Sequence, residues 1–131
     1  MDESTHLSVS IDRPWREVYD FTADPATLPQ WAAGLAGATV EKVEGRWVTD
    51  SPMGRVVIDF APPNDYGVLD HDVTLPDGER VTNPVRVFPN GGGCDVVFSV
   101  RRRAGMSAED LERDAGRVQA DLDTLRRLME E

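Results

Sequence analysis

Apolar and polar positions alternate at the start of the chain. In "HLSVSID", Leu7, Val9 and Ile11 are separated by polar side chains, the period of a strand with one buried face. The pattern then lengthens. In "RPWREVYDFTAD", Pro14 suits a first helical position, and Trp15, Val18 and either Tyr19 or Phe21 follow helical spacing. "DPATLPQWAAGL" predicts a short helix and loop, broken by Pro25 and Pro29. From Ala38 to Arg103 the strand pattern returns. It is punctuated by "EGR", "SPMG", "PPND", "PDG" and "PNGGG", rich in the residues that turn geometry requires. Six strands with such short connections predict an antiparallel meander. The chain ends in "MSAEDLERDAGRVQADLDTLRRLMEE", a long helix with Ser107 as N-cap and Asp110 as its capping-box partner. Leu111, Ala115, Val118, Leu122, Leu125 and Met129 form one apolar stripe along it. Three heptads are few for a coiled coil, so the stripe is expected to cover a concave sheet face in an α+β arrangement.

Within "GVLDHDVTLPDGERVTNPVRV" the alternation fixes a register. With Pro76, Asp77 and Gly78 as the loop, Leu75 faces Glu79, Val73 faces Val81, His71 faces Asn83 and Leu69 faces Val85. A one-residue slip would pair Val73 with Thr82 and mix the two faces, which sheets resist. On the next strand Cys94, Val96, Phe98 and Val100 share a parity, and placing Val87 opposite Cys94 sets Asn83 opposite Phe98. On the preceding strand Val56, Ile58 and Phe60 share a parity, and a short "PPND" turn brings Val56 near His71. His71 and Asn83 therefore form an isolated polar pair on an apolar wall of Val56, Leu69, Val73, Val81, Val85 and Phe98, with Val118 and Leu122 of the terminal helix facing it. Two readings are open. Buried polar groups need partners, and the pair can simply satisfy itself. Alternatively the wall lines a cavity and the pair is its polar anchor, since ligand pockets are mostly apolar with a few placed polar groups. Asp70 and Asp72 flank His71, but strand neighbours point to opposite faces. Asp70 is expected to pair with Arg86 outside.

The composition narrows the partners. The chain has 131 residues, expected to form a single domain over 1–131, long enough for a core without staples. Its net charge of −10 argues against nucleic acid and anionic membrane surfaces. Arg101, Arg102 and Arg103 are the one basic run, read as a strand end in solvent. Cys94 is alone, so no disulfide framework exists. No stretch approaches the roughly 20 apolar residues of a membrane span, and "MDESTHLSVS" lacks the basic start and apolar run of a signal peptide. A cytoplasmic protein without integral membrane association is expected. No nucleophile elbow, Walker loop or dinucleotide fingerprint is present, and His6, His71 and Cys94 lack metal-site spacing. Neither a cofactor nor a metal is expected.

The opening strand, "RPWREVYDFTADPATLPQW" and the terminal "DAGRVQADLDTLRRLMEE" together resemble the START-like, or SRPBCC, superfamily, the polyketide cyclase/dehydrase and lipid-transport group. "GRVVIDFAPPNDYGVLDHDVTLPDG" looks like a subgroup of small bacterial members. The resemblance implies the helix-grip fold: a curved antiparallel sheet wrapped around a long C-terminal helix, with an internal cavity. By position Trp31 matches the tryptophan near the cavity mouth; a core aromatic capping the helix break is the other reading. The resemblance implies binding of a small hydrophobic or amphipathic metabolite by a monomer or homodimer. It leaves two alternatives: a polyketide cyclase or dehydratase using His71 as acid or base with Asn83 orienting it, or an interaction module of the chaperone-ATPase activator type. One fold hosts many functions, so no activity follows from it alone.

Overall fold

A computed structural model describes residues 1–131. β1 (Ser4–Ile11) leads into α1 (Trp15–Ala23), a 3-10 turn (Pro25–Thr27), the single-turn helix α2 (Leu28–Trp31) and a second 3-10 turn (Ala33–Leu35). The strands β2 (Glu41–Val43), β3 (Arg46–Ser51), β4 (Gly54–Phe60), β5 (His71–Thr74), β6 (Arg80–Asn83), β7 (Val85–Asn90) and β8 (Gly93–Arg101) follow, and α3 (Ala108–Glu130) ends the chain. Pro25 and Pro29 do not break their segment. Each sits in the first turn of a helical element, where no N–H is required.

The strands form two antiparallel sheets, β2-β3-β4-β5-β6 and β1-β8-β7. Seven strands follow the helices instead of the expected six, because "RVTNPVRV" divides at Pro84. Proline has no N–H for a ladder. Its carbonyl accepts from the Ser99 N–H at 3.0 Å, and the chain passes there from one sheet to the other. The sheets stay joined. Leu69 N–H donates to the Val85 carbonyl at 2.8 Å, and Val87 N–H to the Gly67 carbonyl at 2.9 Å. The result is one curved wall.

The β5–β6 register is the expected one: His71 faces Asn83 and Val73 faces Val81. Two other registers differ from expectation. Val87 faces Val96, and Phe98 faces Val85 rather than Asn83. β7 runs on through Pro89 to a tight turn at Gly91–Gly92, and Pro89 is tolerated because β7 is an edge strand of its sheet. The shift of two preserves which face each residue occupies. Val56 does not approach His71; Phe60 takes that place, directly opposite it. "PPND" is no short turn but the start of a loop from Ala61 to Asp70, organised by Asn64. Its Oδ1 accepts from the Tyr66 and Val68 N–H groups at 3.0 Å each, and its Nδ2 donates to the Pro62 and Val68 carbonyls.

α3 begins with the expected capping box: Asp110 N–H donates to Ser107 Oγ, and Ser107 N–H donates to the Asp110 carboxylate, both at 3.0 Å. Its stripe packs on β1 and β8, with α2 against it, burying Leu111, Leu122 and Leu125. No helix is long and apolar enough to cross a membrane.

Candidate functional site

The chain positions His71 by turning Asp70 outward. Asp70 Oδ1 accepts from the Val85 N–H and from Arg86 Nε, both at 2.9 Å, and Oδ2 accepts from Arg86 Nη2 at 2.8 Å. This bidentate clamp spans the point where the two sheets meet. Asp72 also faces out, accepting from Thr82 Oγ1 at 2.6 Å. The Arg86 guanidinium, aided by the Val85 N–H, holds the Asp70 carboxyl below its ordinary value of 3.8. A carboxylate with a depressed folded pKa stabilises the fold above its unfolded pKa, and the contribution is lost as pH falls through the folded value. Asp70→Asn should therefore cost about 1 kcal/mol near neutrality. The gap from wild type should close below about pH 4, where the unfolded chain also protonates. Urea melts across that range check it; a gap independent of pH would remove the ionic explanation.

With Asp70 outside, His71 points in and is 9% exposed. Its Nδ1 lies 3.1 Å from the Leu69 carbonyl. A carbonyl only accepts, so Nδ1 carries the proton and the lone pair sits on Nε2. Nε2 faces the Asn83 amide Nδ2 at 3.4 Å, a long contact. The ring stacks on Phe60, centroids 4.7 Å apart, and meets Phe98 edge-on at 6.1 Å. Burial pushes the imidazole pKa down, against the opposing pull of the Leu69 carbonyl, Asp70 and Asp72. His71 is therefore a neutral Nδ1–H imidazole near pH 7.

Two spaces flank the pair. The inner one is a cavity of about 10 Å³ between Thr22, Trp31, Phe60, Leu69, His71 and Leu125, with Val85 and Val96 behind. It has room for about one water. The Trp31 indole N–H is buried and has no hydrogen-bond partner in the protein. The outer space is a cleft of about 440 Å³ between β6, β8 and α3. Val81, Asn83, Phe98, Val100 and Val118 line its body, and Arg80, Arg101, Arg103 and Arg117 stand with Asp2, Thr82 and Asp114 around it. A further groove of about 390 Å³ lies beyond Phe60 and Leu69, against Tyr19, Trp47 and Ile58.

The residues singled out in the sequence thus fall into three groups. His71, Trp31, Leu69 and Val85 line the inner cavity; Asn83, Val81, Phe98 and Val118 line the outer cleft. His71 and Asn83, 3.4 Å apart, thus stand on different spaces. Val56 and Leu122 belong to the packed core and line neither space. Sequence reasoning missed Phe60 as the stacking partner, although its parity with Val56 and Ile58 put it on the correct face. It also missed the arginines, which come from separate elements. No three His, Cys, Asp or Glu side chains gather as a metal site. Cys94 is buried, and burial pushes its thiol pKa up.

A curved antiparallel wall closed over a long C-terminal helix, with a small cavity beneath it and an open cleft at its edge, defines a helix-grip protein. The chain belongs to the polyketide cyclase/dehydrase and lipid transport family, whose model matches residues 3–130. Among curated proteins no sequence matches the chain. Solved structures share the architecture at low identity. XoxI from Bacillus cereus is 15% identical with a TM-score of 0.75, over 96% of this chain and 94% of that one. Ara h 8.0201 is 14% identical with a TM-score of 0.71, over 98% of each chain. DynU16, from the dynemicin biosynthetic locus, is 16% identical with a TM-score of 0.69, over 99% of this chain and 48% of that one. At these identities the likeness is one of fold.

Proposed function

We propose that the protein binds a small apolar or amphipathic molecule in the cleft between β6, β8 and α3, with Asn83 and His71 as the polar groups at its inner end. One observation carries the reading. A cleft of about 440 Å³, with Val81, Phe98, Val100 and Val118 among its lining residues, reaches Asn83, whose amide contacts the buried His71. That size lies in the range of small-molecule sites, about 300–1,000 Å³. The Asn83 side-chain carbonyl takes no donor from the protein, so it is available to a ligand hydroxyl. The inner cavity is too small for a metabolite as it stands. A ligand reaches it from the cleft by parting Asn83 from His71, and the unpartnered Trp31 N–H and the His71 lone pair would then receive its oxygen.

Asn83→Leu tests this better than a change at His71, because His71 also donates to the Leu69 carbonyl and its loss would strand that acceptor. Asn83→Leu should leave the ligand-free melting temperature nearly unchanged. It should weaken binding of an oxygenated apolar compound about tenfold or more, the consequence of a buried polar atom left unpaired. Thermal melts with fatty alcohols, isoprenoid ketones and aromatic polyketides give the measurement. The reading fails if no compound shifts the wild type, or if Asn83→Leu keeps the full shift.

A second reading, cyclase or dehydratase chemistry with His71 as base, rests on the neutral imidazole and the placement of its lone pair on Nε2. Asn83 stands over that nitrogen, so its carboxamide must swing aside for a substrate to reach it. Product formation that vanishes in His71→Gln while binding survives is the result that would favour catalysis.

A further inference from the structure

The cleft is unusual for this molecule in its charge. The chain carries a net charge of −10, yet four of its thirteen arginines line this one space. Arg80 comes from β6, Arg101 from the end of β8, Arg103 from the following turn and Arg117 from α3. Some arginines elsewhere hold close partners: Arg86 is clamped by Asp70 at 2.8 Å and Arg16 meets Asp65 at 2.6 Å. Three of the four at the cleft lack such a partner. Arg101 makes no ion pair. Arg80 lies 3.8 Å from Asp72 and Arg117 lies 3.7 Å from Asp114, beyond hydrogen-bond length. Only Arg103 is hydrogen-bonded, to Glu79 at 3.0 Å. Asp2, the other acid beside the cleft, pairs with none of them. Exposed pairs of this kind are worth about 1 kcal/mol at most, so a better-placed anion can displace them. Below the arginines, Val81, Phe98, Val100 and Val118 present an apolar body.

The geometry points to a ligand that is an amphipathic carboxylate: its apolar part lies along β6, β8 and α3, and its carboxylate is taken by Arg101 and Arg117, with Arg103 adding to the field; Arg80 leans to the outer face, toward Asp72. A guanidinium offers paired N–H donors in the fork that matches a carboxylate. The arginines also concentrate anions at this cleft in an otherwise acidic protein. This rests on the proposed binding function and names the class of molecule bound. It places the carboxylate at the solvent side of the cleft and, at the far end of the apolar part, the ligand oxygen that meets Asn83.

Calorimetric titration with decanoate and with decan-1-ol, which share a tail and differ in the head, tests it. Wild type should bind decanoate about tenfold more tightly than the alcohol, with the preference shrinking at high salt. Arg101→Gln combined with Arg117→Gln should abolish that preference and leave decan-1-ol binding unchanged; both side chains are exposed, so the melting temperature should hold. If the alcohol binds as tightly as decanoate, or if the preference survives the double substitution, the carboxylate assignment is overturned while the binding function stands. If neither compound binds, and Asn83→Leu changes nothing across the wider panel, the binding function falls with it.

Discussion

Leu122→Ala should destabilise the protein by about 2–5 kcal/mol, the range for a buried leucine truncated where the surroundings cannot collapse. Leu122 is fully buried, and it sits in the same core cluster as Leu125, Val9, Ile11 and Trp31. The stripe that carries it was set by spacing alone: Leu111, Val118, Leu122 and Leu125 fall on one face of α3. That face lies on β1 and β8, with α2 against it, so the cavity left by the lost isobutyl group is bounded by a hydrogen-bonded sheet and two helices. The sheet cannot move inward without breaking ladder bonds. Val118→Ala, on the same stripe but beside the open cleft, should cost distinctly less because solvent can fill the space. Urea unfolding of both variants makes the comparison. A loss at Leu122 below about 0.5 kcal/mol, the size of an ordinary surface change, would mean that α3 is not what closes the core.

The periodic features of this fold were legible in the sequence because each rests on local chemistry. The capping box at Ser107, the apolar stripe of α3, and the β5–β6 register that opposes His71 to Asn83 all follow from residue types at fixed spacing. The outward turn of Asp70 onto Arg86 was legible for the same reason, since strand neighbours alternate. What was not legible depends on lengths that periodicity does not encode. Val56 and Phe60 share a face, and only the length of the loop from Ala61 to Asp70 decides which of them meets His71. That loop is shaped by Asn64, whose side chain makes four hydrogen bonds to the backbone on either side. Likewise the position of the turn after β7 moved Phe98 from Asn83 to Val85 without changing its face.

The site shows the same division. The apolar wall and its polar pair could be read from one hairpin. The partition of that wall into a cavity of about 10 Å³ and a cleft of about 440 Å³ could not, because it depends on how far α3 stands from β6 and β8. The arginines at the cleft were visible as residues but not as a group. Arg101 and Arg103 read as the solvated end of a strand. Arg117, distant in sequence, joins them only when the meander curls over α3. Tertiary convergence of charge leaves no local period to detect.

Gly67→Ala should cost about 3 kcal/mol, more than any other glycine substitution outside the strands. Gly67 has φ +74, a conformation that side chains rarely adopt, and a Cβ placed there would lie 2.1 Å from the Val87 carbonyl oxygen. The obstacle is backbone, not a flexible side chain, so relief requires the segment 67–69 to draw away from β7. That movement breaks the bond from Val87 N–H to the Gly67 carbonyl and strains the bond from Leu69 N–H to the Val85 carbonyl, two of the links that join the sheets. The consequence reaches the site, because the Leu69 carbonyl is the acceptor that holds His71 Nδ1. Gly67→Ala should therefore both lower stability and loosen the His71 ring. Chemical denaturation measures the first effect, and the second appears as a rise in the His71 pKa, followed by NMR, as water gains access to the imidazole. Gly116→Ala is the control. Gly116 lies on the exposed side of α3, where an added Cβ would meet nothing within 4 Å, and alanine there should stabilise the helix by up to about 1 kcal/mol. If Gly67→Ala unfolds within about 0.5 kcal/mol of wild type, the close approach of that backbone to Val87 does not hold the two sheets together.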